Sequence, residues 1–221
     1  MDKYIFSKTE DNLSSAERFY KQALELASDL NIPLQKATAK RGIGIVQAKR
    51  GDLAASKESF MNSIETLRRQ GARFDLQKTL FEYSKVLYES DYLFDAEMVA
   101  KASVFEAERN NYRELQVKLY ILLGDIGMKQ EKQYEYYLEA LKVSEFNPKI
   151  YVRTCFILIF RMKNMEKQLQ LDFIKSLQEL NKNKDEYFDH FLGALNAKIE
   201  GKDFEIVGLP GGLAQELENF T

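Results

Sequence analysis

The chain repeats itself at an interval of about 40 residues, which is within the range of stacked structural repeats. Small and aromatic residues recur at matching positions in three successive segments: Ala16, Tyr20, Ala23 and Ala27; Ser56, Phe60, Ser63 and Leu67; Ala96, Ala100, Ser103 and Ala107. A further, slightly shorter step reaches Tyr137, Ala140 and Ser144. This self-similarity constrains the fold class more than any single residue does.

Within the repeats, apolar residues recur at the i, i+3, i+4 spacing of helices. The pattern predicts a first helix that begins at Asp11 or Ser14 and ends near Asn31, with Pro33 beyond it. Helix pairs are then predicted over 34–50 and 53–70, 72–90 and 93–110, and 112–127 and 131–146. Gly51 and Gly71 are the expected turn residues.

The repeat pattern fades after Asn147-Pro148, where the chain is expected to break. Helical spacing continues over 150–163, 165–180 and 185–200, which we interpret as a less regular cap on the array. We therefore predict repeats over 1–147, a carboxyl-terminal helical repeat or cap over 148–203, and a flexible or docking tail over 204–221. The apolar residues that could dock this tail in a groove are Leu209, Leu213, Leu217 and Phe220.

Composition excludes several classes of protein. Charged residues make up 30% of the chain and nearly balance, at a formal net charge of −2, so no nucleic-acid-binding character is predicted. The longest apolar run, 155–160, is far below the roughly 20 residues that span a bilayer. The only cysteine, Cys155, forbids an internal disulfide. We expect a cytoplasmic protein with no membrane partner.

The units resemble tetratricopeptide repeats. That family places a large residue before Leu-Gly in the first helix, and small and aromatic residues in the second helix. The matching residues are Tyr120, Leu123, Gly124, Tyr137 and Ala140 in one unit, and Ile43, Gly44, Ser56, Phe60 and Ser63 in another. Lys40, Gln47 and Gly127 depart from the pattern. The resemblance implies an all-α, right-handed superhelical array of antiparallel helix pairs, with long units like those of bacterial regulatory proteins.

The resemblance also implies a concave groove lined by the first helix of each pair. If Ile43 and Gly44 pack inward, the helical spacing predicts which residues face this groove. The candidate partner-binding residues are Arg41, Lys78, Phe81, Lys85, Tyr88, Lys118, Ile121 and Met128. The cations suit an acidic peptide, and the apolar residues suit its anchors. The alternative is that the cations are solvated on an exposed face while the apolar residues pack against the next repeat.

Candidate catalytic and metal-binding residues are sparse. His190 is the only histidine, and Glu186 lies one helical turn before it, which is too few ligands for a zinc site. Apolar neighbours predict that Cys155 is a buried, unreactive thiol. Arg68, Arg69 and Arg73 cluster at a helix end, where cations favour exposed carbonyl groups, and nucleic-acid binding is the lesser interpretation.

The sequence therefore predicts a non-enzymatic protein-interaction module, an adaptor or regulatory domain that binds a peptide or partner protein without a cofactor. The chief alternative is a sensory domain of a signalling or transcription regulator that binds a small molecule or short peptide. A remote third is an enzyme that uses Glu186 and His190. Self-association is a further prediction, because stacked repeats expose apolar faces at their ends.

Overall fold

The computed structural model describes residues 2–181 and 186–203, and over these ranges the fold is all-helical. The described part contains ten helices and no strand. The helices are α1 (Asp2–Asp29), α2 (Pro33–Lys49), α3 (Leu53–Arg69), α4 (Arg73–Glu89), α5 (Leu93–Arg109), α6 (Arg113–Ile126), α7 (Gln130–Ser144), α8 (Pro148–Met162), α9 (Lys167–Asn181) and α10 (Glu186–Glu200). The prediction of an all-α fold built from successive helix pairs is confirmed.

The helix bounds follow the apolar spacing closely from α2 onward. Each of α2, α3, α4 and α5 is 17 residues long and lies within about one residue of its predicted range. The prediction for α1 was wrong at its start, since the helix begins at Asp2 and not at Asp11 or Ser14. Asp11 and Ser14 therefore lie inside a helix of 28 residues, and neither caps it.

The connections between the first helices are as regular as the helices. A residue with positive φ lies in each turn, at Asn31 (52°), Gly51 (84°), Gly71 (65°), Asp91 (65°) and Asn111 (54°), and these residues are evenly spaced along the chain. Left-handed residues of this kind end helices, and glycine, asparagine and aspartate tolerate that conformation best. The repeat therefore consists of two half-units of equal length, each with one helix and one turn.

The shorter last step of the repeat has its origin in α6. This helix has 14 residues, three fewer than the 17 of α5, and it ends at Ile126 before the position where the next left-handed residue would fall. The lost turn shortens the repeat by the same amount. Positions in α7 thus match those in α5 at the shorter interval that the sequence shows.

The described residues up to Leu122 form one compact unit. In this unit α1 packs against α2, α2 against α3, α3 against α4 and α4 against α5, and α2 also contacts α4. A buried serine ties the two helices of each pair: Ser63 Oγ donates to the Ala37 carbonyl at 2.7 Å, and one full repeat later Ser103 Oγ donates to Gln77 Oε1 at 2.7 Å. The hydrogen bonds repeat with the sequence, which supports the register inferred from it.

A second buried serine links the helices of each pair near their shared turn. Ser56 Oγ in α3 donates to the Gly44 carbonyl in α2, and Ser84 Oγ in α4 donates to the Ala96 carbonyl in α5, both at 2.7 Å. The two contacts join equivalent positions, but the hydroxyl comes from the second helix in one pair and from the first helix in the other. Either helix can supply the hydroxyl of this contact, because a buried donor needs a single acceptor.

The described residues from Leu123 onward form the other compact unit. Helix α7 packs against α8 and α9, α8 contacts α9, and α9 packs against α10. Its core includes the fully buried Phe173, Leu177 and Leu192. The division into units falls inside α6, so the predicted change from repeats to cap at residue 147 stays a prediction. The predicted tail, 204–221, lies outside the described residues.

The second unit buries the hydroxyl-bearing ring of Tyr151, which is only 4% exposed. Burial raises the pKa of Tyr151 far above its ordinary value of about 10, and its interactions with Cys155 add to the shift. The unfolded chain therefore loses this proton at lower pH than the folded protein, so the stability linked to it is retained below about pH 10 and falls above it.

We expect Tyr151→Phe to reduce the loss of folding stability that occurs as the pH rises above about 10. The slope attributable to one such group is about 1.4 kcal/mol per pH unit above about pH 10. Urea unfolding between about pH 9 and 11.5 measures it, with Tyr92→Phe as control because Tyr92 is 52% exposed. Equal slopes in wild type and Tyr151→Phe would contradict the expectation.

Candidate functional site

The first unit carries a cleft of about 660 Å³ between the end of α3, the start of α4 and the second half of α5. Three arginines line it: Arg68 from α3, Arg73 from α4 and Arg109 from α5. The helix end at Arg68, the left-handed Gly71 and the start of α4 bring the first two close in sequence and in space. Arg109 lies near the end of α5, the second helix of the pair to which Arg73 belongs.

The charge of this arginine cleft is only partly compensated. Among the described residues, Arg68 and Arg73 form no ion pair, whereas Arg109 lies 3.5 Å from Glu106 and over the Phe105 ring at 5.8 Å from its centroid. Glu106 is the single acidic residue of the described lining. Three cations against one carboxylate leave the cleft with an excess of positive charge.

A buried amide completes the polar lining. Gln77 is 5% exposed, and its Oε1 accepts the hydrogen bond from Ser103 Oγ. No described residue accepts a hydrogen bond from its amide nitrogen, and Gln77 lines the cleft. Leu76 and Leu80 supply the apolar part of the wall. The cleft thus offers guanidinium and amide donors beside apolar surface, a combination that suits a carboxylate on an apolar chain.

The predicted groove lysines of α4 lie on a different face of the helix from the α4 residues Arg73 and Gln77 that line this cleft. Lys78 and Lys85 follow one helical stripe, while Arg73 and Gln77 follow another, roughly a quarter turn or more away. Lys85 Nζ lies 3.5 Å from Glu89, and Lys118 Nζ in α6 lies 2.8 Å from Glu114. These acidic neighbours make the predicted basic groove less positive than its lysines alone suggest.

Other predicted groove residues are partly buried or make contacts within the fold. Arg41 is half-buried, and its Nη1 donates to Thr79 Oγ1 at 3.3 Å, so it helps to join α2 to α4. Phe81, Tyr88 and Ile121 are half-buried, and Tyr88 makes further contacts. Met128 belongs to the second unit, where it is 90% exposed. The structure places the candidates of α2, of α4 and of α6 up to Ile121 in the first unit and Met128 in the second unit.

Sequence reasoning missed the outward face of α5. Phe94, Met98 and Phe105, which we call the α5 stripe, are 74%, 57% and 60% exposed. They lie at i, i+4 and i+11 and therefore on one face of the helix. Comparing the residues at equivalent positions of the repeats could have revealed this stripe.

His190 and Cys155, two of the residues considered for catalysis, lie in different surroundings. His190 is exposed, and the neighbouring Asp189 accepts a hydrogen bond from Asn181 Nδ2 at 2.8 Å. Cys155 is fully buried and interacts with Tyr151. The side chain of Glu186 lies outside the described residues. Among the side chains that the structure describes, no group of three or more histidine, cysteine, aspartate or glutamate residues could hold a metal ion.

In the part of the chain that the structure describes, no helix is both long enough and apolar enough to cross a membrane. No protein-family model matches this chain, and no curated protein matches it.

Proposed function

We propose that the protein is a non-enzymatic interaction module of tetratricopeptide-like repeats that binds an acidic segment of a partner protein through its first unit. The arginine cleft carries this proposal. Arg68 and Arg73 have no anionic partner among the described residues, whereas several other cations of the unit pair with glutamates. A cytoplasmic location fits the single buried cysteine.

The lining of the cleft favours a peptide as its ligand. Arginine pairs with carboxylates through two parallel hydrogen bonds, and Gln77 can donate a further one. Leu76 and Leu80 suit an apolar side chain between or beside the acidic residues. A segment in which glutamate or aspartate alternates with apolar residues matches both features.

A sensory role is the second candidate function, because the cleft has the volume of a small-ligand site. Pockets for small molecules measure about 300–1,000 Å³, and this one measures about 660 Å³. A small dicarboxylate would use the same arginines. The two functions share a ligand chemistry, so a single experiment can compare them.

Neutralising the cleft arginines should weaken binding of an acidic peptide. We expect Arg68→Gln with Arg73→Gln to lower the affinity for a fluorescein-labelled peptide of alternating glutamate and leucine by about tenfold or more, which corresponds to one good charged contact. Fluorescence anisotropy measures the affinity. Wild-type binding should also weaken as salt is raised, since the contacts are exposed.

Arg69→Gln is the matched control. Arg69 is adjacent to Arg68, but it pairs with Glu65 at 2.7 Å and does not line the cleft. Lys78→Glu with Lys85→Glu tests the predicted groove instead. Loss of binding only in the lysine variant would move the site to the groove, and binding of succinate but not of peptide would favour the sensor. Binding unchanged in both variants would contradict an acidic ligand on this unit.

A further inference from the structure

The α5 stripe is exceptional within the repeat. Its three positions are equivalent to Ser14, Arg18 and Glu25 in α1, to Ala54, Glu58 and Glu65 in α3, and to Glu131, Glu135 and Lys142 in α7. All nine of these residues are exposed, and eight of them are polar or charged. The fold therefore does not require apolar residues at these positions, and among these four helices α5 alone carries large apolar residues there.

Such a stripe costs solubility unless something covers it. Monomeric proteins seldom expose contiguous apolar patches without a binding role. We infer that the α5 stripe is an interface at which two copies of this chain pair, with the two α5 helices antiparallel. This inference rests on the stripe alone and does not depend on the ligand of the arginine cleft.

The stripe is complementary to itself when its direction is reversed. A phenylalanine stands near each end and Met98 lies between them, so an antiparallel copy places Phe94 opposite Phe105 and Phe105 opposite Phe94. The flanking charges are also complementary to themselves when the direction is reversed. Glu97 and Lys101 form an ion pair of 2.6 Å beside Met98, and the reversed copy presents its Lys101 to the first copy's Glu97. Binding a partner of unrelated sequence would not require this symmetry of the apolar residues or of the flanking charges.

The exposed area indicates a weak pair. Each phenylalanine contributes roughly 150–250 Å² when fully covered, and a standard interface buries about 800 Å² per partner. Two partly exposed phenylalanines and Met98 supply less than that, even with the flanking residues. The dimer should therefore dissociate on dilution and form at micromolar concentration or above.

Sedimentation equilibrium of the full chain tests the inference. We expect the average mass of the wild type to rise toward twice the monomer mass between about 5 and 200 µM. Met98→Glu with Phe105→Glu copies the α3 residues Glu58 and Glu65 onto α5, so it introduces only what the repeat already accepts at these positions. This variant should raise the dissociation constant by at least about tenfold. Met61→Glu, at a half-exposed position of α3 outside the stripe, is the control and should leave the dissociation constant unchanged.

A charge exchange gives a second readout that misfolding cannot imitate. Lys101→Glu alone should weaken the dimer, because each copy then presents like charges to the other. The double variant Glu97→Lys with Lys101→Glu should restore it, because opposite charges meet again. A wild type that stays monomeric at the highest concentration would overturn the inference. So would a dimer that survives Met98→Glu with Phe105→Glu, or one that is lost through Leu26→Glu on the exposed face of α1.

Discussion

Phe60→Ala is expected to destabilise the first unit by about 3–5 kcal/mol. Phe60 is fully buried in α3 and joins three helices. Its ring packs against the backbone of Gly44 in α2, where an added Cβ would lie only 3.0 Å from it, and its centroid is 5.1 Å from that of Tyr83 in α4. Removing the ring leaves a cavity that two neighbouring helices border, so collapse around it is restricted.

Chemical denaturation monitored by circular dichroism measures the loss, and Met61→Ala is the matched control. Met61 follows Phe60 directly but is 44% exposed, so its truncation should cost less than about 1 kcal/mol. Phe60→Leu should fall between the two, since it keeps most of the apolar volume. Equal effects of Phe60→Ala and Met61→Ala would show that Phe60 does not anchor the helices as described.

Gly124→Ala should destabilise the second unit by about 2 kcal/mol, although alanine is the better helix former by about 1 kcal/mol. An added Cβ would overlap the ring of Tyr137. Tyr137 is 3% exposed, and its hydroxyl donates to Asp125 Oδ1 at 2.7 Å. Burial and this hydrogen bond hold the ring in place. Arg161 holds the same carboxylate through two hydrogen bonds, at 2.8 and 3.0 Å.

Gly42→Ala provides a contrast within the same chain. Its added Cβ would overlap the ring of Tyr20 in α1, but Tyr20 is 37% exposed and can rotate toward solvent. The helix propensity of alanine should then offset the contact, and the free energy of unfolding should change by less than about 1 kcal/mol.

A double-mutant cycle of Gly124→Ala with Tyr137→Leu isolates the steric contribution to the Gly124→Ala effect. Additive effects in that cycle would contradict the overlap as the cause.

Much of the fold could be predicted because the apolar spacing and the repeat agree. Gly51 and Gly71 marked two turns that the structure confirms as left-handed. The start of α1 was not predictable in this way, because Asp11 and Ser14 are good capping residues that also tolerate a helix interior. Capping preference is local, and it is overridden when the helix continues before it.

The candidate site was less accessible to sequence reasoning. The sequence shows Arg68 and Arg73 as a cluster, but Arg109 lies far from them in sequence, and only the packing of α5 beside α3 and α4 brings the three arginines to one cleft. The groove residues are predicted from the helical spacing, which cannot show that Arg41 of α2 donates to Thr79 of α4. The ion pair of Lys85 with Glu89 lies within α4 at i, i+4 and follows from that spacing. Contacts between helices are therefore what the spacing alone does not predict.

The equal length of the half-units bears on how a chain of this kind can grow. Consecutive helices run in opposite directions, so duplicating a single half-unit would reverse every helix that follows and exchange its inward and outward residues. Duplicating a whole pair, from one left-handed turn residue such as Asn31 to Gly71, returns the chain to the same direction and the same facing. Between α2 and α5, gene duplication can therefore lengthen the protein only by whole pairs without rewriting the helices downstream.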